Sequence, residues 1–304
     1  MILPYLPRLL CIGLATYFLV HLALGAIVAL FAGPAVRLGE RVRPHLAARY
    51  LLALRLLPAA GAAFVVMTVC VPSYLWLEPE APAERVGVAC LAAALLGLAM
   101  WSVSLARGVC ALASSRRFVQ RCGQGIVDSP APLLAIAGIV RPRLLISRTV
   151  LRALPPQELA VALRHERAHW TAHDNLKRLC ILLTPGRNRT IERGWRKFAE
   201  MAADDRAVAG SPRRACALAA ALVRVARMAA DAPPLPLASC LLGDSDQLAA
   251  RVDRLLRPAP AQIPAPRPLL ALSAIVVMAG SVAVAILQPA ALYSVHRALE
   301  HLVE

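Results

Sequence analysis

Four long apolar runs punctuate the chain. Leu9–Ala32, Leu56–Leu77, Val86–Leu105 and Leu269–Leu287 contain no Asp, Glu, Lys or Arg. Each is close to the roughly 20 residues a helix needs to cross a hydrocarbon core. The first run is too long for the core of a signal peptide, and only Arg8 precedes it, so it reads as a true span. The pattern predicts an N-terminal membrane region, 1–105, with spans at about 9–32, 56–77 and 86–105. It predicts a fourth span at about 269–287, within a terminal region 269–304.

Between the third and fourth runs, residues 106–268 carry shorter patterns. Two brief apolar stretches within Pro132–Ser147 flank Arg141–Pro142, with Gly138 as a second punctuation mark, and predict a small hairpin. Pro155–Pro156 then open a helix, with Glu158 at its positive end and Leu159, Ala162 and Leu163 on one face. The pattern carries it toward a break at Thr184–Pro185–Gly186. A second helix is expected from about Thr190 to Val208. A third opens at Ser211–Pro212 and runs to about Ala230. Asp231–Leu237 reads as a Pro-rich linker. A fourth helix opens at Asp244–Ser245 and stops at Pro258, and five prolines follow within Pro258–Pro268. The expected fold is mostly α: a multi-pass membrane protein with four transmembrane helices and a small α+β domain between the third and fourth.

Composition sharpens this. Of 304 residues, 59% are apolar and 17% are charged, against about 25% charged in ordinary globular domains, which excludes disorder. Lys and Arg number 34 against 18 Asp and Glu, a net charge of +16. Loop 33–50 holds Arg37, Arg41, Arg43 and Arg49 against Glu40. Loop 78–85 holds Glu78, Glu80 and Glu84 against Arg85. Segment 106–268 holds 26 Lys and Arg against 12 Asp and Glu. By the positive-inside rule, loop 33–50 and the long segment face the cytoplasm, and both termini lie outside. The expected location is therefore the cytoplasmic membrane, with the lipid bilayer as first partner. Arg107–Arg121 suits a juxtamembrane helix on an anionic lipid surface. The basic excess is spread out with few aromatics interleaved, which argues against direct nucleic-acid binding. Eight scattered cysteines form no C-x-x-C, so neither a disulfide framework nor a cysteine-ligated zinc is expected. Cys70 and Cys90 both fall toward the outer side, where a bridge between them would be permitted.

His165-Glu166-Arg167-Ala168-His169 reads H-E-x-x-H. On a helix, positions i and i+4 share a face, so two imidazoles can reach one zinc ion. Glu166 adjoins them as a general base toward a metal-activated water. The bare pentapeptide also occurs on solvated polar faces. Glu200 and Asp204, four apart in F-A-E-M-A-A-D-D, add a third ligand candidate and an acceptor for a ligand ring N–H. Asp174, five residues beyond His169, offers a second acceptor or a helix cap. His173 either competes as a ligand or ends the helix. His21 sits within the first span, either as a packing residue or as a functional one. No oxyanion stabiliser is legible; Arg206 is merely near in sequence.

The stretches G-I-V-R-P-R-L-L-I-S, P-P-Q-E-L-A-V-A-L-R-H-E-R-A-H-W-T-A-H-D-N-L and E-M-A-A-D-D-R-A-V resemble the BlaR/MecR-type integral-membrane zinc metallopeptidases. The helix Q-L-A-A-R-V-D-R-L-L-R is similar to that family's helix ahead of its last span. The resemblance covers roughly residues 130–260, together with the layout of three spans before the domain and one after. It implies a zincin-like metalloprotease domain of the gluzincin type, facing the cytoplasm, with one zinc ion. His165, His169 and Glu200 would be its ligands, Glu166 the general base, and Asp204 an orienting acceptor. Receptor members of the family carry a penicillin-binding domain after the last span; here 17 residues follow Leu287, without S-x-x-K. T-P-G-R-N-R-T also stands where the family often has a Trp-Phe-Asn-Pro-like run. The implied activity is regulated proteolysis of a protein or peptide substrate, such as a transcriptional repressor or a membrane protein, with a separate sensor partner. Two alternatives stay open: a quality-control or prenyl-protein-type zinc peptidase, and a non-catalytic transducer or scaffold that keeps the zinc fold.

Overall fold

The computed structural model describes residues 4–77, 86–123, 125–128, 132–139, 142–228, 238–240 and 247–257. The expected fourth span at 269–287, the terminal tail and the acidic loop 78–85 lie outside the described residues.

Among the described residues, three segments are long and apolar enough to cross a membrane: α1, Tyr5–Gly39; a continuous stretch Pro44–Trp76; and α4, Val88–Cys122. The middle stretch comprises α2, Pro44–Val65, one π turn at Val66–Cys70, and α3, Val71–Leu77. A helix of 35 residues is about 52 Å long at 1.5 Å per residue, well beyond the roughly 30 Å hydrocarbon core. Two expectations need correcting. Most of the basic stretch 33–50 is helical, and only Glu40–Arg43 joins α1 to α2. Arg107–Arg121 is not a separate surface helix; it continues α4 without a break, since no proline interrupts it. Cys70 and Cys90 are buried free thiols.

A small sheet has strand order β1-β3-β2-β4: β1 is Ile126–Val127, β2 Leu134–Ala137, β3 Arg143–Ser147 and β4 Ala238–Cys240. The predicted hairpin is β2–β3, antiparallel with Ala135 opposite Leu145. The flanking strands were not foreseen. β1 runs parallel to β3, and β4 runs antiparallel to β2. After β3 come α5, Arg148–Ala153; α6, Pro156–Ala172; α7, Asp174–Leu183; α8, Arg189–Val208; α9, Pro212–Met228; and α10, Leu248–Leu256. The Ser147 hydroxyl caps α5 by accepting from the Val150 N–H, and Asn188 caps α8 by accepting from the Ile191 N–H.

Two of the hydrophobic cores position the domain. Leu134, Ile146, Val161, Ala207, Leu218 and Leu222 join the sheet to α6, α8 and α9. Trp195, Phe198 and Ile191 of α8 pack with Ile181 against Val28, Ala32, Ala47 and Leu51 of α1 and α2. The domain therefore docks on the arginine-rich end of the helical bundle. The approach is close: a Cβ on Gly194 would stand 2.8 Å from Val36 and 3.0 Å from Leu51. The turn between α7 and α8 reaches further into the bundle. Arg55 of α2, 4% exposed, donates to the carbonyls of Ile181, Thr184, Pro185 and Gly186 and to Glu192 Oε1, the last at 2.8 Å. One guanidinium thus satisfies the otherwise orphaned end of α7. His21 of α1 is buried against Gly186 and stacks on Tyr17.

Candidate metal centre

The helix opened by Pro156 ends at His173, one of the two readings the sequence left for that residue, and His173 takes a left-handed conformation with φ of 57°. This region is uncommon for non-glycine residues, though histidine visits it more readily than most. The break is useful: it turns the chain so that Asp174, first residue of α7, faces back toward α6. Asp174 Oδ2 accepts from His169 Nδ1 at 2.7 Å, and Oδ1 accepts from Lys177 Nζ at 2.9 Å. His173 itself is exposed and lies outside the cluster.

His165, Glu166 and His169 are all buried on the inner face of α6. Across from them, α8 presents Glu200 and Asp204 from successive turns. His165 Nδ1 lies 2.9 Å from Asp204 Oδ1. With each Nδ1 set against a carboxylate, both Nε2 atoms turn inward. They stand 3.1 Å apart, and each is 3.5 Å from Glu200 Oε2. Three such atoms can stay close in a buried space when an imidazole proton or a cation lies among them. Their spacings bracket about 3.3 Å, the donor–donor edge of a tetrahedral site with bonds near 2.0 Å. His165, His169 and Glu200 form a buried group able to hold a metal ion.

The electrostatics agree. Burial alone would lower the imidazolium pKa of His169, but Glu200 and Asp174 outweigh it and lift it to about 10. The same contest raises His165, through Asp204 and Glu200. Burial opposes ionisation of Glu200, yet His169, His165 and Arg251 hold its carboxyl well below the usual range. Glu166 differs: burial dominates and pushes it up to about 7, against the pull of the two histidines. Its Oε2 accepts from the Ile136 N–H of β2 at 3.2 Å.

Three contributors escaped the sequence reading. Asn175 donates to the Ile136 and Gly138 carbonyls and clamps the end of β2 over α6. Arg251 of α10 grips Asp204, with Nε donating to Oδ2 at 2.9 Å and Nη2 to Oδ1 at 2.7 Å. It carried one readable signal, an arginine on the apolar stripe of Leu248, Val252 and Leu255. Arg178 Nη2 lies 3.8 Å from Glu200 Oε1. Arg206 donates instead to the Ala168 carbonyl, tying α8 to α6. A groove of about 1080 Å³ between the α1–α2 turn and α8–α10 is lined by Arg43, Phe198, Asp205 and Arg254, and contains none of the three metal-facing residues.

Comparison with models of known families, with characterised proteins and with solved structures finds no match for this chain.

Proposed function

We propose that this protein is a membrane zinc endopeptidase. The observation that carries the proposal is the inward convergence of two Nε2 atoms and one carboxylate oxygen, a buried group able to hold a metal ion. Two imidazoles and one carboxylate match catalytic zinc, which keeps a further position open, better than structural zinc. The resemblance to BlaR/MecR-type peptidases in motif order supports the same assignment, including a zincin-like domain between a third and a fourth span.

Zinc, when bound, supplies a Lewis acid that polarises a peptide carbonyl and makes water acidic near neutral pH. The protein's own residues do the rest. Glu166 accepts the water proton at its carboxylate and passes it to the leaving amine. Its place next to His165 on the buried face of α6 puts the carboxylate beside the proposed ligands, where both transfers would occur. The Ile136 N–H holds Oε2 of Glu166 in place. Asp174 keeps the His169 proton on Nδ1, and Asp204 Oδ1, 2.9 Å from His165 Nδ1, sets a negative charge beside the second ring, so that both Nε2 atoms would be left free for a metal. The domain faces the cytoplasm at the basic end of the bundle. Its substrate is a protein, a repressor or a membrane protein, and a separate partner supplies the signal.

The test compares wild type with Glu166→Gln, each in lipid nanodiscs and assayed for zinc and for cleavage of a proteome-derived peptide library. Wild type is expected to cut, and Glu166→Gln to keep one zinc while losing at least about 1000-fold in rate, several kcal/mol of barrier. Equal cleavage by the two proteins would overturn the proposal. Zinc bound with no cleavage by either would favour the non-catalytic scaffold.

A further inference from the structure

The proposed chemistry uses α6 and α8, yet α10 enters the same centre from far along the chain. Arg251 is 1% exposed; its fork holds both oxygens of Asp204, and its Nη1 lies 3.3 Å from Glu200 Oε2. One turn later, Arg254 Nη2 donates to both oxygens of Asp205, at 2.7 and 2.9 Å. Two adjacent carboxylates of α8 are thus gripped by two arginines of α10.

We infer that α10 is a removable member of the metal centre, and that Arg251 is its positioning residue. Arg251 fixes Asp204, Asp204 fixes the His165 ring, and the three donors close around the ion only while α10 is docked. This rests on the metal-centre reading above. A carboxylate held at both oxygens by a planar fork cannot turn about its own bond. Without the fork, Asp204 is a buried charge lacking its main partner; it is free to rotate, and His165 loses the carboxylate set beside its ring. Docking itself is shallow. α10 has nine residues, too few for a stable isolated helix, and rests half-buried through Leu248, Val252 and Leu255 on the core of Leu218 and Leu222. In sequence it leads through Pro258–Pro268 to the apolar run Leu269–Leu287. Displacing α10 therefore acts directly on the metal ligands.

Charge alone predicts the opposite sign, because removing a cation beside a divalent ion tightens binding. The test uses full-length protein in nanodiscs, with Zn²⁺ affinity from chelator competition and Co²⁺ absorption as a report on ligand geometry. Arg251→Met is expected to weaken Zn²⁺ binding about tenfold or more and to alter the Co²⁺ bands. Arg251→Lys, which restores charge without the fork, should recover only part of the loss. In an Asp204→Asn background, Arg251→Met should add nothing further, which a general loss of packing would not reproduce. Unchanged or tighter binding by Arg251→Met, or losses that simply add in the double variant, would overturn the inference alone. Should Arg251→Met fail to fold, wild-type affinity in Arg251→Lys overturns it equally. A wild type that binds neither ion would instead overturn the metal-centre reading beneath it.

Discussion

His169 sits between two carboxylates, and this makes protons and metal rivals for one place. In the metal-free protein its pKa of about 10 means that an imidazolium bridges Glu200 and Asp174. A raised folded pKa gives stability that is fully present below the ordinary 6.5 and is lost as pH climbs toward 10. Glu166 adds the same sign, since burial lifts it to about 7 and its contribution is gone above that. Metal-free protein should therefore melt at falling temperature between pH 5 and 9.5, as read by scanning fluorimetry in detergent after chelation. Zinc uptake at pH 7 should release at least one proton, measurable with an indicator dye in weak buffer, and the zinc-loaded protein should lose the high-pH decline. A melting temperature that rises with pH in the metal-free protein would contradict the assignment. The three donors were legible because helical spacing makes i and i+4 neighbours on each of α6 and α8. Arg251 was harder to read because its reason is tertiary: it answers Asp204, 47 positions away.

At the scale of elements, the α7–α8 hairpin carries Asp174 at one end and leads into Glu200 at the other, so its seating sets the centre. Arg55 seats it. Arg55→Met removes five donors from buried carbonyls and from Glu192, and should cost about 3–5 kcal/mol, the range for breaking a buried pair. The check is a lower midpoint in chemical denaturation in detergent, with zinc affinity falling in parallel; an unchanged midpoint would refute the seating role. The sequence made the helices of the domain readable where prolines mark their starts, as at Pro156 and Pro212. Of the two readings open for His173, the helix end is the one found, with the residue in a left-handed conformation and Asp174 opening α7. The sequence hid β1 and β4, since strands of two and three residues carry no measurable alternation.

For the whole molecule, the three apolar runs among the described residues were legible from length alone, while their helices proved longer than the spans. Leu6, Leu10, Leu30, Leu96, Val103 and other large side chains stay exposed along these helices, as lipid-facing surfaces do. The proposed orientation puts the domain in the cytoplasm. Cys216 on α9 is exposed and reports on it. With Cys216 as the only remaining exposed cysteine, a membrane-impermeant maleimide should spare intact spheroplasts and label them after permeabilisation. Labelling before permeabilisation would reverse the topology.

α4 runs unbroken for 35 residues, and its last turn packs Phe118, Val119 and Cys122 beneath Ala135 and Ala137 of β2. Between those two alanines stands Ile136, whose N–H steadies Glu166. A rod about 52 Å long acts as a lever: tipping it by about 5° swings the far end by about 4–5 Å. That exceeds the length of the hydrogen bond from Ile136 to Glu166, so under the proposed membrane placement a tilt of α4 relative to α6 would bear on how firmly Glu166 is held.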